Sequence, residues 1–329
     1  MAGPKSDDNC SPTGACGRPS RLLSFPHPDF PMDHPHTAGG TRVALALAAV
    51  YVIWGSTYLG IRFALEGGFP PFLLGGIRFL LAGGLMYGVL RWRGVPAPTG
   101  PQWRNAAAMG VFLLLLGNGM VNFAEKSVPS GMTAVSVASA PLWMAVFSAM
   151  RGQKPTRMEW VGLGIGFLGV VWLNAGSSLA STPAGLVALL VAALAWSWGS
   201  IWSRGRDLPS PFMAAAAQML CGGVAMCVVA ALLGERFHGL PTAHGIAAFF
   251  YLAAIGSIVG FSAYIWLLHH VRPALASSYA YVNPAIAVML GAWLAHERFG
   301  AHELVAMGVI LLGVVAITAA RARKPKVAA

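Results

Sequence analysis

Residues 43–63 read VALALAAVYVIWGSTYLGIRF, a stretch in which Arg62 is the only charged side chain. A helix needs about 20 apolar residues to cross the hydrocarbon core of a bilayer, which is about 30 Å thick. A membrane β-barrel would instead show alternating segments of about ten residues. The stretch therefore predicts a membrane-spanning helix, and the rest of the chain can be compared with it.

Comparable stretches recur along the chain, joined by short loops that contain Pro or Gly. We place the ten spans near residues 43–63, 72–90, 104–123, 130–150, 158–175, 183–203, 212–233, 245–268, 274–294 and 302–320. These stretches predict an all-α membrane protein with ten transmembrane helices.

The composition agrees with a lipid environment and limits the classes of function. Of the 329 residues, 56% are hydrophobic and 10% are charged, against about 25% charged in soluble domains. The mean hydropathy of +0.64 disfavours a cytosolic enzyme. The net charge is +11, but the basic residues lie between the apolar stretches and form no single patch. We therefore predict no nucleic-acid partner.

No sequence pattern indicates a metal site, a cofactor or ATP hydrolysis. Cys10 and Cys16 lie in a polar segment, Cys221 and Cys227 lie in an apolar one, and none has a His/Cys partner pair at zinc spacing. No Walker-type glycine-rich loop followed by Lys-Ser/Thr occurs. The predicted partners are a small-molecule substrate and the lipid bilayer.

The loops and the ends of the chain indicate its orientation. We predict that residues 1–41 form a disordered tail and that residues 321–329 form a basic tail. Of the 22 Lys and Arg residues, Arg78 lies within a span and 17 lie on the side of the two tails. The opposite side has only Arg62, Lys126, Arg236 and Arg298. Because basic loops stay in the cytoplasm, we predict a multi-pass protein of a bacterial inner membrane with both termini cytoplasmic.

The two halves of the chain resemble each other at an offset of 140 to 144 residues. The matched motifs are Trp54-Gly55-Ser56 with Trp198-Gly199-Ser200, Pro71-Phe72 with Pro211-Phe212, Gly117 with Gly260, Pro141 with Pro284, and Gly169-Val170-Val171 with Gly313-Val314-Val315. Each half holds five predicted helices, so the second half enters the membrane inverted. Inverted repeats are a transporter architecture, with the substrate near the bilayer midplane. We predict repeats over residues 42–176 and 182–320.

Several of these motifs resemble a known family. Ile53–Tyr58, followed by Pro70-Pro71-Phe72 and Arg78–Ala82, resembles the opening of an EamA-type repeat of the drug/metabolite transporter superfamily. The Pro284 segment and the Glu303–Val315 helix resemble the end of the second repeat. The resemblance implies ten helices, cytoplasmic termini and a central cavity lined mainly by predicted helices 1, 3, 4, 6, 8 and 9. It also implies that the substrates are often exported amino acids or other small metabolites.

These observations predict a secondary transporter that exports small metabolites, such as amino acids, related compounds or drugs, by alternating access. A passive facilitator or a channel is the alternative. A membrane-embedded enzyme would need a nucleophile with a His or a paired Asp inside the spans. No His or Asp lies deep inside the predicted spans, so no enzymatic activity is predicted.

Arg78 is the only charged side chain well inside a predicted span. An Arg at a helix centre costs about 2.5–3.5 kcal/mol on insertion scales, so its presence needs a physical reason. One interpretation is a cationic site for a substrate carboxylate or phosphate. The other is a structural anchor whose side chain leans toward the helix start, reaches the outer surface and pairs with Glu66 or backbone carbonyls. The sequence leaves both open.

Pro141 and Pro284 lie at matched positions in two predicted spans. Each removes a backbone donor and clashes with the preceding turn, and matched interruptions point to a transport site. Ser139 and Asn283 beside them can supply hydrogen bonds. Kinks that only shape helix packing are the alternative.

Aromatic and amide side chains complete the candidate cavity. Trp54 and Tyr58 lie one turn apart and share a helix face, which suits a partly apolar, amine or aromatic ligand. The full set of these candidates is Trp54, Tyr58, Asn118, Asn122, Trp198, Tyr264 and Tyr281. The alternative is a belt of aromatic residues at the membrane interface.

The sequence leaves the driving force open. Proton-coupled carriers usually keep a carboxylate or a His in the transport path. Here every Asp and Glu lies in a loop, in a tail or at the edge of a predicted span. The nearest candidates are Glu125, at the outer end of predicted helix 3, and His269 or His270, at the inner end of predicted helix 8.

Overall fold

A computed structural model describes residues 40–151, 157–175, 182–203, 205–270, 279–297 and 299–322. Within these ranges all regular secondary structure is helical and no strand occurs. The all-α prediction is therefore confirmed for this part of the chain. Most of the two predicted tails, and the start of the span predicted at 274–294, lie outside these residues.

The helices occupy the predicted positions. They are α1 (Gly40–Glu66), α2 (Pro71–Trp92), α3 (Gly100–Ala124), α4 (Ser130–Val137), α5 (Ala140–Met150), α6 (Arg157–Ala175), α7 (Pro183–Trp202), α8 (Pro211–Leu232), α9 (Ala243–Phe250, Tyr251–Val259 and Gly260–His270 in direct succession), α10 (Tyr279–Leu294) and α11 (Ala301–Ala322). Each predicted span coincides with one helix, except that the span at 130–150 is divided into α4 and α5.

Many of these helices have the length and composition of membrane spans. In the described residues six are long and apolar enough to cross a bilayer: α1, α2, α3, α7, α8 and Ala243–Tyr264 of α9. Shorter apolar stretches cover Val282–Leu294 in α10 and Leu304–Gly313 in α11. The architecture is that of a multi-pass membrane protein, and the number of ten crossings stays a prediction.

Proline and glycine mark the helix boundaries. α2, α7 and α8 each begin at a Pro, whose fixed φ and missing N–H suit the first turn of a helix. Turns after α1, α2, α7 and α8 contain glycines with φ between +69° and +98°. These are Gly68, Gly94, Gly205 and Gly234. Glycine adopts this left-handed conformation without a Cβ penalty, so it ends a helix sharply.

The most extensive helix contacts join α6 to α11 and α2 to α8. Between α2 and α8, a Cβ at Gly223 would lie 2.9 Å from the Leu80 nitrogen and 3.0 Å from the Gly76 oxygen. Between α6 and α11, a Cβ at Gly313 would lie 2.7 Å from the Gly162 oxygen. Small residues let membrane helices approach closely, which matters because lipid provides no hydrophobic driving force for their association.

Helices from the two halves of the sequence pack against each other. α1 packs on α9 and α10, whereas α7 packs on α3 and α5. The main buried cluster joins Leu74, Val121, Met132, Leu189 and Leu252, which come from α2, α3, α4, α7 and α9. The core is therefore shared by both halves.

The two matched prolines occupy different helical positions. α4 ends at Val137 and α5 begins at Ala140, so Pro141 is the second residue of a new helix. A Pro ring clashes with the carbonyl four residues earlier, here that of Val137, whereas a first helical turn tolerates it. Pro284, in contrast, lies inside α10. The expected interruption in the first half is therefore a complete break, and that in the second half is a proline within a helix.

We expect Gly223→Ala to destabilise the protein by about 1–3 kcal/mol, because the added methyl group overpacks the α2–α8 contact. The control is Gly84→Ala on α2, where an added Cβ meets no atom within 4 Å. Unfolding in mixed micelles with increasing dodecyl sulfate would measure both variants. Equal stability of the two variants would contradict the close contact.

Candidate functional site

Trp54 is the centre of an aromatic cluster built by three helices. Its ring centroid lies 5.3 Å from that of Phe261, 5.0 Å from that of Tyr264 and 4.9 Å from that of Tyr279. The indole Nε1 donates a hydrogen bond to the Gly256 carbonyl at 3.3 Å. Two residues of the predicted set, Trp54 of α1 and Tyr264 of α9, are thus brought together, and Tyr279 of α10 completes the cluster.

The Trp-Gly-Ser motifs of α1 and α7 have a common local role. Ser56 Oγ donates to the Val52 carbonyl at 2.6 Å, and Ser200 Oγ donates to the Trp196 carbonyl at 2.7 Å. Each hydroxyl thus bonds within its own helix, as serine in a membrane helix often does. Ser56 Oγ also shares a hydrogen bond with the Tyr251 hydroxyl of α9. The preceding glycines allow close packing: a Cβ at Gly55 would lie 2.9 Å from Ile286 Cβ of α10. The motif therefore positions helices.

Two π-helical segments lie beside these motifs. They span Gly110–Gly119 in α3 and Tyr251–Val259 in α9, and sequence analysis did not find them. In the first, Asn118 Nδ2 donates to the carbonyl five residues earlier at 3.3 Å; in the second, Ser257 Oγ does so at 3.1 Å. π-Helical turns inside longer helices often occur at functional sites. Their starts are 141 residues apart, within the offset that relates the two halves.

Arg78 is buried between α2 and the π-helical segment of α9. Only 4% of its surface is exposed, and Nε donates to Ser257 Oγ at 2.9 Å. In the described residues no carboxylate lies within 4.0 Å of its guanidinium. Glu66, the expected partner, pairs with Arg62 at 2.8 Å instead. Because the side chain is buried, it does not reach the outer surface as the anchor interpretation expected.

The other predicted residues make local or interhelical contacts. Asn122 is buried and donates to the Pro71 carbonyl at 3.0 Å, which ties α3 to the start of α2. The Trp198 ring packs on Phe147 of α5, with centroids 5.3 Å apart. Tyr58 is half-buried and packs against the main core. The Asn118 and Asn122 amides therefore donate to different backbone carbonyls.

The groups next to the prolines satisfy backbone carbonyls. With its amide nitrogen turned toward the carbonyls, Asn283 donates to Tyr51 at 3.3 Å and to Tyr279 at 3.1 Å, joining α10 to α1. Ser139 Oγ donates to the Ser136 carbonyl at 2.6 Å. Pro284 is buried. The side chains of Pro141 and Tyr281 lie outside the described part of the structure.

Two loop carboxylates that sequence analysis did not single out hold the starts of helices. Glu297, whose side chain is 3% exposed, accepts hydrogen bonds from Ser130 N and Oγ, both at 2.8 Å, and pairs with Arg62. Glu235 accepts from Leu73 N at 2.9 Å. The N-cap residues of α4 and α2 are Pro129 and Pro70, whose side chains cannot accept. These prolines are the sequence signal that another acceptor is needed.

A third carboxyl group, that of Glu125, is buried directly after α3. Neither of its oxygens has a hydrogen-bond partner in the described residues. Glu125 lines a cavity of about 470 Å³ together with Arg62, Leu65, Glu66, Lys126, Ser127, Val128 and Pro129. Burial, followed by the negative charge of Glu297, raises the pKa of Glu125 well above its usual value, and the charge and the nearby backbone N–H group of Arg62 oppose this shift. In the described residues no three His, Cys, Asp or Glu side chains are placed to hold a metal ion.

Comparison with known proteins agrees with this architecture. The chain is 44% identical to the inner membrane transporter YedA of Escherichia coli K12 over 83% of its own length and 89% of that protein. It is 27% identical to the protein PecM of Dickeya dadantii, over 79% of the chain and 86% of PecM. A solved crystal structure with 20% identity superposes with a TM-score of 0.61, covering 85% of this chain and 99% of the other, and so shares the fold.

A family model also matches the chain twice. The EamA-like transporter family is matched over residues 41–175 and again over residues 183–319. The two matches together cover most of the chain and agree with the resemblance expected from the Trp-Gly-Ser and proline motifs. The protein is therefore a multi-pass membrane protein that belongs to the EamA-like transporter family.

Proposed function

We propose that the protein is a secondary transporter that exports small metabolites bearing a carboxylate or a phosphate, amino acids above all. Alternating access by two inverted five-helix halves would move the substrate. Both termini would lie in the cytoplasm of a bacterial cell, with the protein in the inner membrane. YedA is named an inner membrane transporter, which supports this placement.

The helix contacts support two exchangeable halves. α1 contacts α9 and α10 of the second half, and α7 contacts α3 and α5 of the first half in the same manner. α2 pairs with α8, and α6 pairs with α11. Exchanging the halves leaves this pattern unchanged, as expected for related repeats. Such a pair has two near-equivalent packings, one open to each side of the membrane.

The single observation that carries the substrate class is the buried guanidinium of Arg78. A buried cation is costly unless an anion or a set of acceptors compensates its charge. The described residues provide Ser257 for Nε, the Phe79 ring with its centroid 4.8 Å from the guanidinium carbon, and no carboxylate, so an anionic substrate group would complete the site. The π-helical segment that carries Ser257 packs on α2, so its movement would open Arg78 to a cavity.

The remaining predicted residues would line the transport path around Arg78. Trp54 and Tyr264 would provide an apolar and aromatic wall near Gly256, on the same segment of α9. The wider set of proposed lining residues is Tyr58, Asn118, Asn122, Ser139, Pro141, Trp198, Tyr281, Asn283 and Pro284. A carboxylate held by Arg78, with a side chain packed against the aromatic cluster, fits an amino acid or a related compound.

Purified protein in liposomes is expected to give saturable uptake of labelled solute and counterflow when unlabelled solute is trapped inside. The panel would contain amino acids, organic acids and sugar phosphates. Counterflow needs a carrier whose site faces the two sides in turn. Flux without saturation would identify the alternative, a channel or passive facilitator, and would contradict alternating access.

Arg78→Gln is expected to reduce transport of carboxylate substrates by about 10- to 100-fold, because a charge-assisted hydrogen bond contributes about 1.5–3 kcal/mol. Its control is Arg91→Gln on the same helix, since Arg91 bonds only to the Val95 carbonyl in the described residues. Initial rates would be divided by the amount of folded protein in the membrane. Loss of folded protein in parallel with transport would indicate an anchoring role for Arg78.

A further inference from the structure

One buried carboxyl group has no part in the proposed substrate site. Glu125 is 6% exposed, and neither oxygen has a hydrogen-bond partner among the described residues. Glu297 and Glu235 differ from it, because each accepts backbone N–H groups at a helix start. A buried carboxyl group without such donors is stable as the protonated acid.

The groups around Glu125 include one cation shared by several carboxyl groups. Arg62 uses Nε for Glu66 at 2.8 Å and Nη1 for Glu297. Arg62 lines the same cavity as Glu125, and its charge already acts on the Glu125 carboxyl group. While Glu125 is protonated, Arg62 has no electrostatic reason to leave Glu297.

The titratable groups that face this site come from few elements. They are Tyr58, Arg62 and Glu66 of α1, Lys126 beside Glu125, and Glu297 of the loop after α10. α7 packs on the same end of α3 and contains no titratable side chain. α2 approaches through the Asn122–Pro71 hydrogen bond, and Arg78 is its first titratable residue. Apart from burial, the groups that act most on the charge state of Glu125 are therefore Glu297 and Arg62.

We infer that Glu125 is a proton-binding site that couples solute transport to the proton gradient, with Arg62 exchanging between Glu297 and Glu125 as the proton leaves and returns. This inference rests on the proposed transport function. The proton passes from the carboxyl group to water in the adjoining cavity, leaving a carboxylate that pairs with the Arg62 guanidinium. No bond other than the O–H bond breaks, and no further reactant is needed.

The exchange acts on α4 through Glu297. With Arg62 in place, Glu297 accepts from Ser130 N and Gly131 N and holds the start of α4 against the loop after α10. α4 ends at Val137, where the helix breaks. When Arg62 leaves, the buried negative charge of Glu297 is less well compensated. This weakens the attachment of the start of α4 to the loop after α10. Because α4 is short and ends before α5 begins, its position can then change with the protonation state of Glu125.

Infrared titration of the protein in nanodiscs tests proton binding without a substrate. At pH about 7 an unperturbed glutamate, with a pKa of about 4.3, is ionised. The wild type is expected to show a protonated-carboxyl C=O band that Glu125→Gln lacks and that disappears as the pH rises. The control Asp207→Asn, at an exposed carboxyl group that does not line this cavity, keeps the band. A wild-type spectrum identical to that of Glu125→Gln would overturn the inference.

A second variant guards against misfolding of Glu125→Gln. Glu297→Gln removes the neighbouring negative charge and frees Arg62, so the Glu125 band is expected to disappear at a lower pH than in the wild type. The direction follows because both changes favour the carboxylate. An unchanged midpoint would show that Glu297 and Arg62 do not control Glu125.

Flux measurements then test coupling. Liposomes are given radiolabelled L-amino acids with and without an imposed pH gradient. Glu125→Gln is expected to lose gradient-driven accumulation by about tenfold or more, a usual size for coupling between sites, and to retain exchange. The control Asp207→Asn retains both. Wild-type exchange without any response to the pH gradient overturns the inference and leaves the proposed function intact. No wild-type flux of any solute contradicts the proposed function, and the infrared titration still decides the proton site.

Discussion

A polar backbone group inside a bilayer must find its partner within the protein, and this constraint explains most of the structure. It requires the described spans to be helical, because only helices and closed barrels satisfy their own N–H and C=O groups in lipid. It also explains the side chains at irregular positions. Asn118 and Ser257 bond to carbonyls in the π-helical segments, and Glu297 and Glu235 accept from helix starts that follow prolines. The polar side chains of the interior thus act first as substitutes for missing helical hydrogen bonds.

The same constraint draws attention to buried ionisable groups that have no paired counter-charge. Arg78 has one hydroxyl partner and no carboxylate in the described residues, and Glu125 has no hydrogen-bond partner there. A protein that keeps such groups in a poorly solvated interior at a cost in stability usually uses them. An anionic substrate would compensate the first, and a proton compensates the second. The two groups have opposite charges when ionised, and they lie on α2 and directly after α3.

The sequence predicted what local chemistry determines. The length of the apolar stretches predicted where the helices lie, and prolines and glycines predicted where the turns lie. Both signals act within a few residues of the chain. The motif around Trp54 and the matched prolines indicated the family correctly. The two π-helical segments also lie at matched positions in the two halves, although no residue pattern predicted them.

Partners distant in the sequence could not be predicted in the same way. One of the two interpretations of Arg78 paired it with Glu66 or backbone carbonyls, or placed it at the surface; in the structure Nε donates to Ser257, 179 residues away. Glu66 bonds to Arg62, which also pairs with Glu297, 235 residues away. The choice among such partners depends on which helices pack together, and a single sequence does not contain this information. Glu297 and Glu125 were both assigned to helix ends or loops, and only the packing shows that they are buried.

The most direct test of the account asks whether the two halves cross the membrane in opposite directions. Arg93 and Leu233 are exposed residues after α2 and α8, at matched positions in the two halves. Arg93→Cys and Leu233→Cys would be made in a chain whose four native cysteines are replaced by serine, and labelled in intact cells and inverted vesicles with a membrane-impermeant maleimide. The account predicts labelling of residue 233 only from outside the cell and of residue 93 only from the cytoplasm. Labelling of both from the same side would contradict it.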